Sequence, residues 1–572
     1  MLSKAFYILK ISVGLLALSI ACIVVQVQAG SSHKHNGQKD SAGRLESTDE
    51  PAPRLLNLGP HTFPVSTKNK QAQLFMNQGL NLAYGFNHAE AGHAFREAAR
   101  LDPDLGMAYW GQALVLGPNI NAMMDPAEEQ QALELVQKAV SLIPSATQRE
   151  QALIRALEKR YTGKPEDRSA NNQAYAAAMK SAHQRFPDDL DIAMLYVESM
   201  MDLRPWGYWM PDGRPYEGTP EIVAITEEVM RKNPKHPGAL HMYIHLIEPT
   251  STPERAEKAA DTLLTLMPDA GHAVHMASHI YQRVGRYADS MKSNQLAIAA
   301  DEEYLAQSQA QGLYPIGYYP HNIHFLWFAA TLDGQSKVAI DAARKAAARI
   351  DDAILSELPV TAIFRVIPYW SLARFGHWQE VLKEPAPPAS NAFLTGSWHY
   401  ARGLAFVATG QLKQAEQELA SLHKIMPEPG LDTPLFSLNT ARKVLAIGPE
   451  VLAGEIAAGH GKYDEAIAHL DRAVRLEDGL VYTEPAEWHF PPRLALGAIL
   501  LEAGRPAEAE TVYWEDLRRN RNNGWALYGL LQALRAQKKH DQAAVIEARF
   551  KKAWERADIT LNASRFGRQP KT

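Results

Sequence analysis

The sequence has very little cysteine: one residue, Cys22, among 572. That residue lies in an apolar N-terminal segment, so a chain cleaved after this segment would contain no thiol at all. Disulfides and cysteine-ligated zinc are thereby excluded for the rest of the protein. There is also no excess of one charge, because 59 Lys and Arg face 64 Asp and Glu. A net charge of −5 provides no basic surface for nucleic acid.

Long hydrophobic runs are absent apart from Ile11–Val25, which follows Lys4 and Lys10 and precedes Ala29. A basic start, a short apolar core and a small residue predict a secretory signal peptide over 1–29. An uncleaved N-terminal membrane anchor is the alternative; the mature form is expected to have no stable membrane span. We expect a periplasmic or secreted protein. Residues 30–60 are polar and aperiodic, which predicts a disordered tether.

Paired amphipathic helices are predicted from about residue 70 onward. Phe75, Gly79, Ala91 and Phe95 alternate small and large side chains at helix-packing positions, and Pro103 ends the unit. This pattern resembles the tetratricopeptide (TPR) repeat and recurs along the chain. The fold class is therefore predicted as all-α, a TPR-type helical-hairpin solenoid (right-handed superhelix) of roughly twelve repeats. We expect N-terminal TPR-like repeats over 61–235, histidine-rich central repeats over 236–350, and C-terminal repeats with a capping helix over 351–572.

Several short sequences resemble a group of secreted bacterial TPR proteins for which no biochemical activity is established. The resemblance implies the TPR fold and export, and it does not imply a reaction. The matching segments are Phe86-Asn87-His88, Ala108-Tyr109-Trp110-Gly111, Gly117-Pro118-Asn119, the three histidine runs described next, Glu484-Pro485 with Trp488, and Asn523-Gly524-Trp525.

Seven of the 21 histidines lie in one stretch, in the runs HMYIHLIE (241–248), GHAVHMASHIY (271–281) and YPHNIHF (319–325). His241 and His275 are 34 residues apart, as are His245 and His279, and 34 residues is the TPR period. The spacings within each run place the side chains on one face of a helix. We therefore expect a ladder of imidazoles on the concave surface of three successive repeats.

This ladder predicts a transition-metal site. Imidazole is a common ligand for zinc and copper, and a nearby carboxylate often completes such sites. The predicted ligands are His241, His245, His275 and His279, with zinc or copper as the metal. Further residues are predicted to line a ligand groove: Glu248, His272, His321, His324, Tyr281 and Asn322. The alternatives are a metal-free groove for a protein, peptide or small molecule, and imidazoles that only form structural hydrogen bonds.

Enzyme activity stays open at this point. The sequence contains no HExxH, P-loop or dinucleotide-binding motif, so no nucleotide cofactor is expected. A metal-dependent hydrolase using the same histidines is the alternative to an exported binding or scaffold protein. Two loops rich in aromatic residues, at 204–219 and 303–320, flank the histidine-bearing repeats. They are expected either to pack locally against the helices or to fold over the inner surface and cover the site.

Overall fold

The computed structural model describes residues 52–307, 314–435 and 439–567. The predicted signal peptide and most of the predicted tether lie outside these ranges. Regular structure in the described residues is helical, apart from three isolated β-bridges. No described helix is both long and apolar enough to cross a membrane. The described residues form one compact unit.

The N-terminal and central helices follow one another through short turns. Their bounds are α1 Lys70–Tyr84, α2 His88–Leu101, α3 Gly106–Leu116, α4 Glu129–Ser141, α5 Gln148–Leu157, α6 Arg168–Arg185, α7 Leu190–Met201, α8 Thr219–Lys232, α9 Pro237–Ile247, α10 Glu257–Leu266, α11 Gly271–His275, α12 Ala277–Val284, α13 Tyr287–Gln307, α14 Tyr319–Leu332 and α15 Ser336–Ala347.

The remaining helices continue the same order towards the C-terminus. They are α16 Asp352–Glu357, α17 Ala362–Arg374, α18 Trp378–Lys383, α19 Ala392–Ala408, α20 Leu412–Ile425, α21 Ala441–Leu445, α22 Ile447–Gly459, α23 Tyr463–Asp478, α24 Pro492–Glu502, α25 Pro506–Arg519, α26 Gly524–Ala536 and α27 His540–Ala553.

Successive helices pack as hairpins, and twelve such pairs can be traced in the described residues, from α1 with α2 to α26 with α27. In this count α11 and α12 act as one broken helix, as do α21 and α22, and the short α16 is an addition between pairs. The predicted all-α, TPR-type hairpin array is confirmed. The basic stretch Arg549–Arg568, in which a capping helix was predicted, overlaps only the end of α27, the second helix of the last pair.

Close packing between repeats depends on the small residues recognised in the sequence. Phe95 lies between Gly79 on α1 and Gly111 on α3, where an added Cβ would come within 2.5 Å of its ring atoms. In a later repeat Tyr513 occupies the same kind of space between Gly497 and Gly529. A ring inserted between two glycine-bearing helices brings those helices close together and excludes water, which favours burial of both apolar faces.

The C-terminal repeats return to pack against the central ones. The Tyr287 hydroxyl donates to the Arg521 carbonyl at 2.9 Å, and the Trp525 indole N–H donates to the Thr331 carbonyl at 3.0 Å. Asp333 forms an ion pair with Arg556 at 2.7 Å. Residues far away in sequence consequently cover the start of α13 and the C-terminal end of α14.

The contact between Gly285 and Arg521 can be tested with a matched pair of glycines. Gly285 and Gly461 both have a left-handed backbone, with φ of 77° and 76°. An added Cβ would meet the Arg521 carbonyl at 2.1 Å at Gly285 and nothing within 4 Å at Gly461. Gly461→Ala should cost about 1 kcal/mol from backbone strain alone. Gly285→Ala should cost roughly 1–3 kcal/mol more in urea unfolding, because the backbone of Arg521 must move; equal costs would contradict this contact.

Candidate metal centre

The seven central histidines lie on the first helices of three successive hairpins, as the register predicted. His241 and His245 are on α9, His272 and His275 on α11, and His279 on α12. His321 and His324 are on α14. The second of these helices is broken at Met276 between α11 and α12, where the His279 amide bonds to the Met276 carbonyl.

The histidines are buried rather than exposed on an open surface. Their relative exposure is 0–4%, except for His321 at 9%. Aromatic rings cover them: Phe86 lies 4.4 Å from His241, and Phe325 lies 4.6 Å from His279, between ring centroids. The predicted ladder of imidazoles is therefore enclosed by other parts of the chain.

Both aromatic loops lie against the histidines, as expected. Trp206 of the first loop is 5.0 Å from His245, ring edge to ring face. In the described part of the second loop, Tyr318 is 4.6 Å from His272. The loops exclude water from the imidazoles, which strengthens any electrostatic interaction formed between them.

The ring nitrogens form two groups of three, which we call the first triad (His241, His245, His272) and the second triad (His275, His279, His321). Within each triad, one nitrogen from each residue lies within 4.8 Å of the others. The four predicted metal ligands are thus divided, two to each triad. His272 and His321, predicted only as groove residues, supply the third member of each.

One carboxylate, Glu248, connects the triads. Its Oε1 accepts a hydrogen bond from His245 Nδ1 at 2.9 Å, and its Oε2 accepts one from His279 Nδ1 at 2.9 Å. The Tyr482 hydroxyl also donates to Oε2 at 2.9 Å. Burial alone would raise the pKa of Glu248, but the positive His279 and these hydrogen bonds hold it well below its usual value. Glu248 is therefore ionised and can only accept.

A second carboxyl group, Glu484, lies 3.0 Å from His279 Nδ1. Burial and the nearby charge of Glu248 raise its pKa well above the usual range. His245, Glu248, His279 and Glu484 form a third group of ligand atoms within 4.8 Å. Glu484 follows a non-helical segment more than 200 residues from His279, so no spacing in the sequence could have linked the two.

The Nδ1 atoms of His241 and His275 are also occupied by acceptors. His241 Nδ1 lies 2.5 Å from the Tyr84 carbonyl, which has no proton to offer. His275 Nδ1 lies 2.7 Å from Asn294 Oδ1, and Asn294 uses its amide N–H to bond the Ser290 carbonyl. Each of these histidines therefore holds its proton on Nδ1. This leaves an unprotonated Nε2 in the neutral form of each ring.

The unprotonated nitrogens face each other in pairs. His241 Nε2 and His245 Nε2 are 3.1 Å apart, and His275 Nε2 and His279 Nε2 are 2.8 Å apart. Burial and neighbouring histidines lower the pKa of His241, and burial lowers that of His245, so both rings are neutral. Two lone pairs directed at each other at this distance repel unless a cation lies between them.

The second pair differs because one of its rings can carry a proton. Burial lowers the pKa of His279, but Glu484 and Glu248 together raise it to about 10. A charged His279 would donate Nε2–H to His275 Nε2, whose own pKa is lowered by burial. A proton on His279 Nε2 can thus lie between the two facing nitrogens of the second triad. The first triad has no charged histidine that could supply such a proton.

His272 has the least satisfied side chain of the centre. It is 2% exposed, and neither of its ring nitrogens has a hydrogen-bond partner among the described residues. Its ring centroid lies 5.1 Å from that of His241 and 5.7 Å from that of His275. Because buried polar atoms are normally bonded, the two ring nitrogens of His272 are candidate ligands for an ion.

Three predicted groove residues lie apart from the triads. His324 stacks on Trp327 at 5.2 Å, and burial lowers its pKa to about 3. The Tyr281 hydroxyl donates to Asp261 at 2.7 Å, and Asn322 donates to Asp301 at 2.7 Å. In each case the local helix packing, rather than the histidine centre, provides the partner.

The sequence analysis did not identify a fourth cluster of His61, Asp191 and His236. Asp191 Oδ1 lies 2.9 Å from His61 Nε2, 3.2 Å from His236 Nε2 and 3.0 Å from the Tyr84 hydroxyl. Arg149 approaches the same carboxylate at 3.5 Å. A guanidinium at this position supplies the positive charge, so the cluster is explained without a metal ion.

Comparisons with known proteins show no sequence match and only distant structural similarity. No protein-family model and no curated protein matches the sequence. A human IFIT1 dimer with m7Gppp-AAAA is 12% identical, covers 78% of this chain and 90% of its own, and has a TM-score of 0.33. The APC/C hetero-tetramer Cut9-Hcn1 is 13% identical, covers 84% and 76%, and has a TM-score of 0.32. The fold assignment rests on the hairpins described above, not on likenesses of this size.

Buried neutral histidines should make the metal-free protein sensitive to acid. A histidine with a lowered pKa binds its proton only in the unfolded state, so stability falls as pH drops below about 6.5, by up to ~1.4 kcal/mol per pH unit for each group. His279, with its raised pKa, contributes fully below 6.5 and loses its contribution only as pH rises towards 10.

Urea unfolding in the presence of chelator at pH 6.5, 5.5 and 4.5 measures this dependence. His324→Phe should reduce the slope by up to one such contribution, because the pKa of His324 is about 3 in the folded state. An unchanged slope in this variant would show that His324 is protonated in the folded protein over this range.

Proposed function

We propose that this TPR protein binds transition-metal ions in a buried two-site centre, with one ion held by each histidine triad. The observation that carries the proposal is the pair of neutral imidazoles, His241 and His245, whose Nε2 lone pairs face each other at 3.1 Å. A cation bound by both would convert this repulsion into two coordination bonds. The unpartnered His272 would provide the third ligand.

The two facing nitrogens in each triad are placed to bind a single ion. With metal–nitrogen bonds of about 2.0–2.1 Å, separations of 2.8 and 3.1 Å correspond to ligand–metal–ligand angles of roughly 85–100°. Imidazole ligands without thiolates suit zinc or copper. At neutral pH, an ion entering the second triad would displace the proton that His279 shares with His275.

Glu248 would act as a positioning residue for both ions. Metal-bound histidines commonly donate their second N–H to a carboxylate, which fixes the tautomer and makes the other nitrogen a better ligand. Here one carboxylate does this for His245 in the first triad and His279 in the second. The two ions should therefore influence each other through Glu248.

The proposed biological role is that of an exported binding or scaffold protein carrying this centre. Burial of the histidines argues against direct recognition of a peptide by the triads, because no peptide side chain reaches atoms that are almost fully enclosed. Any protein partner would bind elsewhere on the repeat surface. Export rests on the N-terminal segment and has its own test, the N-terminal sequence of protein secreted by an expressing cell.

Hydrolysis of a small substrate is the second candidate, and Glu484 is the observation that favours it. This carboxyl has a raised pKa, lies beside the second triad, and is 10% exposed at its side chain. A protonated carboxyl near a metal-bound water could serve as a general acid. Metal-dependent turnover of small esters or phosphoesters that falls on Glu484→Gln would support this activity, and the absence of turnover would favour binding alone.

Metal analysis of protein purified without an affinity tag tests the two-site proposal. After incubation with zinc or copper and removal of free metal, we expect about two ions per chain. His241→Gln with His272→Gln should abolish one ion, and His275→Gln with His321→Gln should abolish the other. His245→Ala with His279→Ala, one ligand from each triad, should weaken both.

His399→Gln is the matched control, because His399 bonds to Glu418 outside the triads and should leave both ions bound. Less than about 0.2 metal per chain in the folded wild-type protein would contradict the proposal. If each of the three double variants of the triads lost the same single ion, the two triads would instead share one metal site.

Glu248→Gln tests the connection between the triads. The amide retains only one acceptor oxygen, so either His245 or His279 loses its Nδ1 partner and meets an N–H group instead. We expect affinity for at least one ion to fall about 10- to 100-fold, as for other residues that orient metal ligands. Competitive titration with a chelator measures this, and unchanged affinity at both sites would show that Glu248 is not a positioning residue.

A further inference from the structure

A second unexplained group lies in the C-terminal half of the chain. Arg374, at the end of α17, is 4% exposed. Among the described residues, no acceptor bonds to its Nε, Nη1 or Nη2 atoms. Because buried charges are normally paired, a guanidinium without any acceptor points to a ligand that is not part of the chain.

Two aromatic rings lie over this guanidinium group, whereas its N–H donors contact no acceptor among the described residues. The Trp525 ring centroid is 3.5 Å from the Arg374 Cζ, and the Phe490 centroid is 4.1 Å away. Stacking of this kind stabilises the positive charge and fixes the plane of the group. The five N–H bonds lie in that plane, so their donors stay free.

The Arg374 side chain borders a cleft. It lines the cleft together with Tyr400, Glu455, His489 and Arg565, while Leu404 and Val451 provide apolar walls. The cavity is about 30 Å³, room for about two water molecules, and it is partly open to solvent. It belongs to a cleft of about 400 Å³ that includes space open to solvent.

Two guanidinium groups border the cleft, those of Arg374 and Arg565. Of these two, only the Arg374 group has no acidic partner among the described residues. Arg565 is already bonded to Glu455 at 3.2 Å and to Glu502 at 3.0 Å. Asp516, the acidic group that influences Arg374 through space, has its two oxygens bonded to Asn520 and Asn523. His489 offers a second buried donor or acceptor, because its Nδ1 has no partner among the described residues.

We propose that this cleft binds the carboxylate of a small organic acid, held by the edge of Arg374. A carboxylate matches the two-pronged donor geometry of a guanidinium, and its size suits the cavity beside Arg374. The apolar walls and the half-buried Phe566 at the cleft would contact the hydrocarbon body of the acid. None of these residues belongs to the histidine triads, so the site is independent of the proposed metal centre.

Calorimetric titration of the full chain with benzoate, benzamide and inorganic phosphate tests this site. Benzoate should bind with saturation and raise the unfolding temperature. Benzamide has the same ring without the charge and should bind at least about tenfold more weakly. No saturable benzoate binding, or equal binding of benzamide, would overturn the proposal; tighter binding of phosphate would overturn the assignment to an organic acid.

Two substitutions assign the binding to Arg374. Arg374→Gln should lower benzoate affinity at least tenfold, and Arg374→Lys, which keeps the charge but loses the planar fork, should lower it by less. The control is Arg402→Gln, which removes a guanidinium stacked on Trp398 at 4.5 Å whose edge is already bonded to Glu418. If Arg374→Gln fails to fold by circular dichroism, Arg374→Lys decides, and unchanged affinity in a folded Arg374 variant would overturn the proposal.

Discussion

The centre of this protein depends on the ionised carboxylate of Glu248 in a buried site. Burying such a charge is costly unless each oxygen receives hydrogen bonds. Here His245, His279 and Tyr482 supply them, from α9, from α12 and from the segment between α23 and α24. These contacts also set the tautomers of the two histidines. The charge of Glu248 therefore determines which ring nitrogens of His245 and His279 point away from it as candidate ligands.

The Glu248 carboxylate is buried because the first and last repeats of the helical array pack against the central ones. Arg521 and Trp525 near the C-terminus bond to the central repeats. Tyr84 of α1 approaches from the other side and accepts a hydrogen bond from His241. An open array would leave the imidazoles in water, where each could bond to solvent and no lone pairs would need to face each other. Closure of the array thus produces the facing lone pairs of His241 and His245 on which the proposed metal site rests.

Much of the architecture could be predicted from local patterns. The alternation of small and large residues seen at Gly79 and Phe95 recurs because the two helices of each hairpin pack in the same way. The repeat can therefore be recognised from the sequence alone. The 34-residue spacing of His241 with His275 places both on equivalent faces for the same reason. Glu484 and Arg374 carried no such signal: their importance comes from neighbours that are distant in the chain and follow no period.

The sequence by itself determined the helical hairpins, their register and the helices that carry the histidines, because these depend on interactions between residues close in the chain. The tertiary structure alone decided that the histidines are buried, that they divide into two triads, and that His272 completes the first. Those outcomes depend on how the first and last repeats meet the central ones. Contacts of that kind are set by the summed geometry of twelve hairpins, which no single spacing encodes.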